Sequence, residues 1–204
     1  MPRVASVIRG AVFGATLSLA AAPAFAGTPV LSDPLTNWPL NLGAQGTSVH
    51  MGNGGVHITA PANSAGWVTY SGFDFTDMDA SVTVTPNNGN GNAFGFLFWS
   101  TGPNDFFDFT ISDTAGTFGV FKHTASRWET IVPYTKTNLV KSGAPNTLRV
   151  VTKGNYVTLY INGQSAGALS LPAPQGGGVV GFEGEGNANG ASDYTVSNLS
   201  VSQP

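Results

Sequence analysis

From residue 55 to the end, apolar and polar positions alternate two by two between clusters of Gly, Asn, Asp and Pro, and no stretch keeps a 3.6-residue apolar period for a dozen residues. The pattern predicts β-strands at 55–60, 66–71, 78–85, 93–100, 105–112, 117–123, 127–132, 147–153, 155–161, 164–170, 178–184 and 193–201. Twelve short strands need two sheets, so an all-β sandwich is expected. The strongest local signal is Asn155-Tyr-Val-Thr-Leu-Tyr-Ile-Asn-Gly-Gln, in which Asn162-Gly163 supplies the positive-φ pair of a type I′ hairpin turn. Val157, Leu159 and Ile161 share one face of its first arm and should point to the core, because successive side chains of a strand face opposite ways. A second turn at Lys153-Gly154-Asn155 joins this arm to Leu148-Arg-Val-Val-Thr, giving a three-strand meander.

One segment breaks the half-wet rule for sandwich strands. Phe94, Phe96 and Phe98 lie on one side of Phe94-Gly-Phe-Leu-Phe-Trp99, and Gly95, Leu97 and Trp99 on the other, so both faces are apolar. The following strand sets Phe107, Phe109 and Ile111 against Phe106, Asp108 and Thr110. Apolar side chains on the second face imply a groove, a covering loop or a ligand platform there.

Composition narrows the function classes. The 204 residues contain no cysteine, which removes disulfide scaffolds, thiol nucleophiles and Cys-based metal ribbons. Only 9% are charged, eight Lys+Arg against eleven Asp+Glu with no basic run, so a nucleic-acid partner is not expected. Arg3 and Arg9, the apolar run 11–22 and Ala24-Phe25-Ala26 together form a secretory signal peptide over residues 1–26. The apolar run is shorter than the roughly 20 residues of a spanning helix, so no membrane insertion is expected after cleavage. A single domain over 27–204, secreted or periplasmic, follows as the expectation.

The order Phe-Gly-Phe-Leu-Phe-Trp-Ser, Asp-Phe-Phe-Asp-Phe-Thr-Ile-Ser-Asp, Arg-Trp-Glu-Thr-Ile-Val, Asn146-Thr-Leu-Arg-Val-Val through Asn162-Gly163, and Gly178-Val-Val-Gly-Phe resembles the concanavalin A-like lectin/glucanase domains. It is similar in particular to bacterial extracellular modules described as family 16 glycoside hydrolase-like or 3-keto-disaccharide hydrolase-like. Asp33-Pro-Leu and Trp38 look like the opening of such domains. The resemblance implies a two-sheet antiparallel jelly-roll sandwich, and it marks fold rather than activity.

Candidate chemistry is read with that implication beside it. Trp99, Trp128, Tyr134 and Tyr160 offer flat apolar faces for sugar rings. The expected ligand-binding set is Trp99, Phe106, Asp108, His123 and Trp128, with Asp108 accepting sugar hydroxyls beside an aromatic platform. The Glu-x-Asp-x-x-Glu strand of the laminarin-type hydrolases is missing. Its nearest substitute is Glu183-Gly-Glu185, whose spacing puts both side chains on one strand face. The preferred reading keeps both glutamates in solvent; a second acidic pair to consider is Asp108 with Glu129. His50, His57 and His123 form no metal-hydrolase spacing, and no Gln-x-His of a lyase occurs. Asp74, Asp77 and Asp79 are spaced like calcium ligands but lack the Gly and Glu of an EF-hand, so strand initiation is preferred. The resemblance also implies a structural calcium at Asp193, completed by backbone carbonyls near Asp33 or Leu35; no other cofactor is required. The expected function is glycan or polysaccharide binding without catalysis. The alternatives are a glycoside hydrolase on extracellular glycan and a structural or adhesive envelope module.

Overall fold

The computed structural model describes residues 29–36, 48–52, 54–70, 72–89, 93–125 and 127–204. The signal peptide expected at 1–26 and Trp38 lie outside the described residues. Fourteen strands form: β1 (Pro29–Asp33), β2 (Ser48–Gly52), β3 (Gly55–Ala60), β4 (Ser64–Thr69), β5 (Met78–Pro86), β6 (Ala93–Gly102), β7 (Asp105–Ser112), β8 (Thr117–Thr124), β9 (Arg127–Lys136), β10 (Asn146–Lys153), β11 (Tyr156–Ile161), β12 (Gln164–Ser170), β13 (Val179–Gly186) and β14 (Ser192–Ser202). Each of the twelve predicted strands is present, and 55–60, 105–112 and 164–170 keep their predicted bounds. β1 and β2 are additional: Pro-Val-Leu-Ser-Asp and Ser-Val-His-Met-Gly are too short and too polar to show a period of two.

All pairings are antiparallel, and they make two sheets. The first runs β12-β11-β10-β5-β14-β3-β2, with β1 also on β14; the second runs β4-β13-β6-β7-β8-β9. Neighbours distant in sequence, β5 with β14 and β6 with β13, sit at the middle of each sheet, as a jelly roll requires. The meander β10-β11-β12 closes through Asn162 (φ 52°) and Gly163 (φ 79°), both in the left-handed region.

Alternation explains the core. Val82 and Val84 of β5, Leu148 and Val150 of β10, and Val157, Leu159 and Ile161 of β11 face inward from the first sheet. Phe94, Phe96, Phe98, Phe107, Phe109, Ile111 and Phe182 meet them from the second. Phe182 stacks against Phe94 and Phe96 at ring-centroid distances of 6.2 and 6.1 Å, which ties β13 to β6 across the middle of that sheet. The residues that alternate with these along each strand must then point to the opposite, outward face of the second sheet. A separate buried cluster of Trp67, Leu97 and Phe106 lies there.

Trp99 departs from the predicted alternation. Its φ of 50° and a register break after Phe98 form a bulge that turns its side chain back to the core side. There it packs on Phe98 and Phe107, and its indole N–H donates to the Thr76 carbonyl at 2.9 Å.

Candidate functional site

The outward face of the second sheet is built by four neighbouring strands. β13 contributes Glu183 and Glu185, β6 contributes Gly95 and Leu97, β7 contributes Phe106, Asp108 and Thr110, and β8 contributes Phe121 and His123. β4 adds Trp67 opposite Glu183, and β9 adds Trp128 opposite His123. Two register shifts in β9 reset its alternation, so that Trp128, Thr130 and Tyr134 all reach this face while Val132 packs on the core. Pro133 is tolerated because β9 is the edge strand.

The centre of the face is a carboxyl pair that spans two strands. Gly95 stands between β13 and β7, opposite Glu183 on one side and Thr110 on the other. A Cβ at Gly95 would fall 2.1 Å from Asp108 Oδ1. The missing side chain is therefore what lets the Asp108 carboxyl lie over β6 and meet Glu183, with which it shares a hydrogen bond. Both residues are buried, at 2% and 4% exposure. Asp108 Oδ1 and Glu183 Oε2 have no N–H or O–H donor from any other described residue. Two facing acceptors need one proton between them. Burial pushes both groups up, Asp108 to about 6, and the Asp108 charge raises Glu183 further, well above the ordinary carboxyl range. With both groups raised, the pair holds a proton between Glu183 and Asp108 above the ordinary carboxyl range, and Asp108 also accepts from the Thr110 hydroxyl.

Around this pair lies a hollow of about 250 Å³ bounded by Phe121, Trp128, Tyr134 and Glu185. Trp128 and Tyr134 remain 41% and 44% exposed. The Tyr134 hydroxyl donates to Glu185 Oε2 at 3.2 Å. Burial and then the neighbouring Glu185 charge raise the Tyr134 phenol, so it stays protonated. A second hollow of about 330 Å³ adjoins the first, shares Tyr134 and Glu185 with it, and continues over Ser112, Thr117, Lys136 and Asn187.

Beside the hollow, His123 is enclosed by rings: Phe106 stacks on it at 5.1 Å, with Trp67 at 4.9 Å and Trp128 at 4.6 Å. Burial lowers its pKa below the ordinary imidazole value, and its Nδ1 has no partner. The histidine is neutral and serves as packing beneath Trp128.

The structure thus brings Asp108, Phe106, His123 and Trp128 to one face, as expected from the sequence, and corrects four details. Trp99 is in the core because of its bulge, so it offers no ring to a ligand. Phe106 and His123 are covered, at 0% and 3% exposure, and support the face instead of contacting what binds it. Glu183 is not in solvent: Phe182 and Gly184 do point inward, but the neighbouring strands bury Glu183, leaving Glu185 half-buried. Glu129 is an exposed residue between Trp128 and Thr130 and does not join Asp108 in the hollow. The calcium set is not assembled either. Asp193 pairs with Thr59 near one end of β14 and Asp33 with Leu199, six positions along, which is about 20 Å at ~3.3 Å per residue. The Asp193 carboxylate instead accepts from Asn87 at 2.8 Å. Asp79 opens β5 and pairs with Arg149 rather than with Asp74 or Asp77. His50 stacks on His57 at 5.0 Å on the other sheet, and Tyr160 lies under Arg149 there. Trp67 and Phe121 are not legible as site residues from the sequence: each sits in an ordinary strand pattern that a core aromatic would share.

The carboxyl pair carries a pH signature. A group whose pKa is raised by folding adds stability below its unfolded value, and that stability is lost as pH rises through the folded value. Wild-type protein is therefore expected to lose stability as pH rises from about 4, the unfolded carboxyl range, through about 6 for Asp108 and beyond that for Glu183, at up to about 1.4 kcal/mol per pH unit for each proton held only by the folded state. Glu183→Gln keeps a donor toward Asp108 and removes the titration. Denaturant unfolding at several pH values should show a flatter profile for the variant; parallel profiles would overturn the shared-proton description.

No protein-family model matches this sequence, and no curated protein matches it. Solved structures do resemble it. A carbohydrate-binding module CBM66 from Bacillus subtilis superposes with a TM-score of 0.65 at 12% identity, covering 77% of this chain and 92% of that one. A Bacillus subtilis protein of unknown function with a galectin-like fold gives 0.62 at 11% identity over 87% and 96%. A Bacillus licheniformis β-glucanase gives 0.59 at 13% identity over 88% and 100%.

Proposed function

The fold is the concanavalin A-like jelly roll, and on it we propose a glycan-binding protein whose ligand lies across the outward face of the second sheet. The observation that carries this reading is the pair of adjoining hollows that share Tyr134 and Glu185, with exposed Trp128 at one rim and carboxyl groups in the floor. A flat aromatic face takes the apolar side of a sugar ring while carboxylates accept its hydroxyls. Two hollows in line suit successive residues of an oligosaccharide. The named neighbours support the reading, since one is a carbohydrate-binding module and another a β-glucanase. The acidic floor disfavours phosphate and so a nucleic-acid partner. Export by the segment at 1–26 would place the protein outside the cytoplasm, where polysaccharide is met.

A second reading, glycan hydrolysis, is favoured by one observation: burial and the neighbouring Asp108 charge raise the Glu183 carboxyl well above the ordinary range, the direction expected of a general acid beside a second carboxyl. Binding without cleavage remains the preferred function because the two carboxyls hydrogen-bond each other, whereas hydrolytic pairs are separated by about 5 Å or more to admit the scissile bond or water.

A glycan array and an insoluble-polysaccharide pull-down, each hit followed by a reducing-sugar assay, test both. Binding without sugar release is expected. Trp128→Ala should weaken binding about tenfold or more, as removal of a large contacting aromatic typically costs ~1.5–3 kcal/mol, with little change in stability because the ring is half-exposed. Unchanged binding by the variant would overturn this placement of the ligand. Sugar release abolished by Glu183→Gln would establish the hydrolase instead.

A further inference from the structure

The first hollow has an unusual balance of donors and acceptors. Among the described residues its lining consists of three carboxyls, three aromatic rings, two threonines and one alanine, with no Lys, Arg, His, Asn or Gln. Two of its hydroxyls are already committed, Thr110 to Asp108 and Tyr134 to Glu185. Asp108 Oδ1 and Glu183 Oε2, both buried, receive no N–H or O–H donor from the surrounding described residues. Lys136 lines the adjoining hollow, and its ammonium donates to the Ala115 carbonyl.

A neutral sugar hydroxyl donates one hydrogen bond and also seeks a donor. This hollow returns few. An ammonium group has three donors and no acceptor, so it matches an acceptor-rich wall without leaving a polar atom unsatisfied. The rings add a second attraction. Phe121 meets Trp128 at 84° with centroids 6.5 Å apart and Tyr134 at 56° with centroids 5.2 Å apart, which makes three sides of an aromatic cage beside Glu185. Ring faces attract cations through their quadrupole, and more strongly where water is reduced.

We propose that this hollow seats the ammonium group of an amine-bearing sugar, held by the Glu185 and Asp108 carboxylates and by the rings of Trp128, Phe121 and Tyr134, with the rest of the glycan extending into the second hollow. The proposal rests on the glycan-binding reading and names its ligand class. The second hollow, with Ser112, Thr117 and Asn187, offers the mixed donors and acceptors that a neutral sugar unit needs.

The test compares sugars that differ only in one substituent: methyl glycosides of glucosamine, N-acetylglucosamine and glucose, and their galacto counterparts. Titrations near pH 6.5 are followed by the Trp128 indole N–H resonance and by calorimetry. The free amines are expected to bind at least about tenfold more tightly than the acetylated and hydroxyl sugars, and added salt should reduce the preference. Glu185→Gln, which keeps an acceptor but removes the charge, should lose most of the preference, and His50→Ala, on the other sheet, should retain both the preference and the binding of neutral glycan. Equal affinity across the series, or preference for the neutral sugars, would overturn the amine assignment and leave glycan binding intact. No response at Trp128 to any sugar, together with silence on the glycan array, would overturn both.

Discussion

Phe182→Ala is expected to destabilise the protein by about 3–5 kcal/mol, the usual cost of deleting a large buried aromatic ring. Phe182 is fully buried and is the ring on which Phe94 and Phe96 both stack, so the surrounding strands cannot close the space without giving up those contacts. A typical domain has only about 5–15 kcal/mol in total, so the variant should unfold at much lower denaturant with little change in slope. The consequence reaches the candidate site. Glu183 is the next residue on β13, and its position against Asp108 depends on the pairing of Phe182 with Phe96 and Val68 on either side. Phe182→Leu keeps most of the volume and should lose less. A loss below about 1.5 kcal/mol for the alanine variant would mean that this part of the core repacks freely.

Arg149→Met is expected to cost a similar amount, about 3–5 kcal/mol, for an electrostatic reason. On the outward face of the first sheet the Arg149 guanidinium grips Asp79 through two hydrogen bonds of 2.6 Å. Those bonds, more than the opposing burial, raise the arginine pKa still further. Asp79 is only 1% exposed. Removing the arginine leaves a carboxylate that has neither its partner nor water. It also deletes the contact of the guanidinium with the Tyr160 ring, 4.9 Å away. The double variant Asp79→Leu/Arg149→Met removes both charges and should recover much of the loss, since apolar replacements of buried pairs are often near neutral. Equal destabilisation in the single and double variants, measured by chemical unfolding, would show that packing rather than charge dominates at this position.

Much of the sandwich is written locally. Alternation from Gly55 onward is a property of each strand alone, and Asn162-Gly163 closes a hairpin with no help from distant residues. The inward face of β11 could therefore be assigned from the sequence, as could the division of β7 into a face of Phe107, Phe109 and Ile111 and a face of Phe106, Asp108 and Thr110. The weak points were places where one residue changes the period. The bulge at Trp99 sends a ring to the core that strict alternation sends outward, and two bulges in β9 turn Val132 to the core although strict alternation would keep it beside Trp128, Thr130 and Tyr134. A bulge is set by what the neighbouring strand presents, so no local pattern announces it.

What the sequence determined by itself is the twelve strands from Gly55 onward and the turn at Asn162-Gly163, because these follow from short-range alternation and from residues that accept positive φ. What only the tertiary structure decided is the site. Asp108 and Glu183 are 75 positions apart in the chain, and they meet because β6 lies between their strands with a glycine at the crossing point. Long-range pairing and register, not composition, turn two ordinary acids into a buried pair that shares one proton.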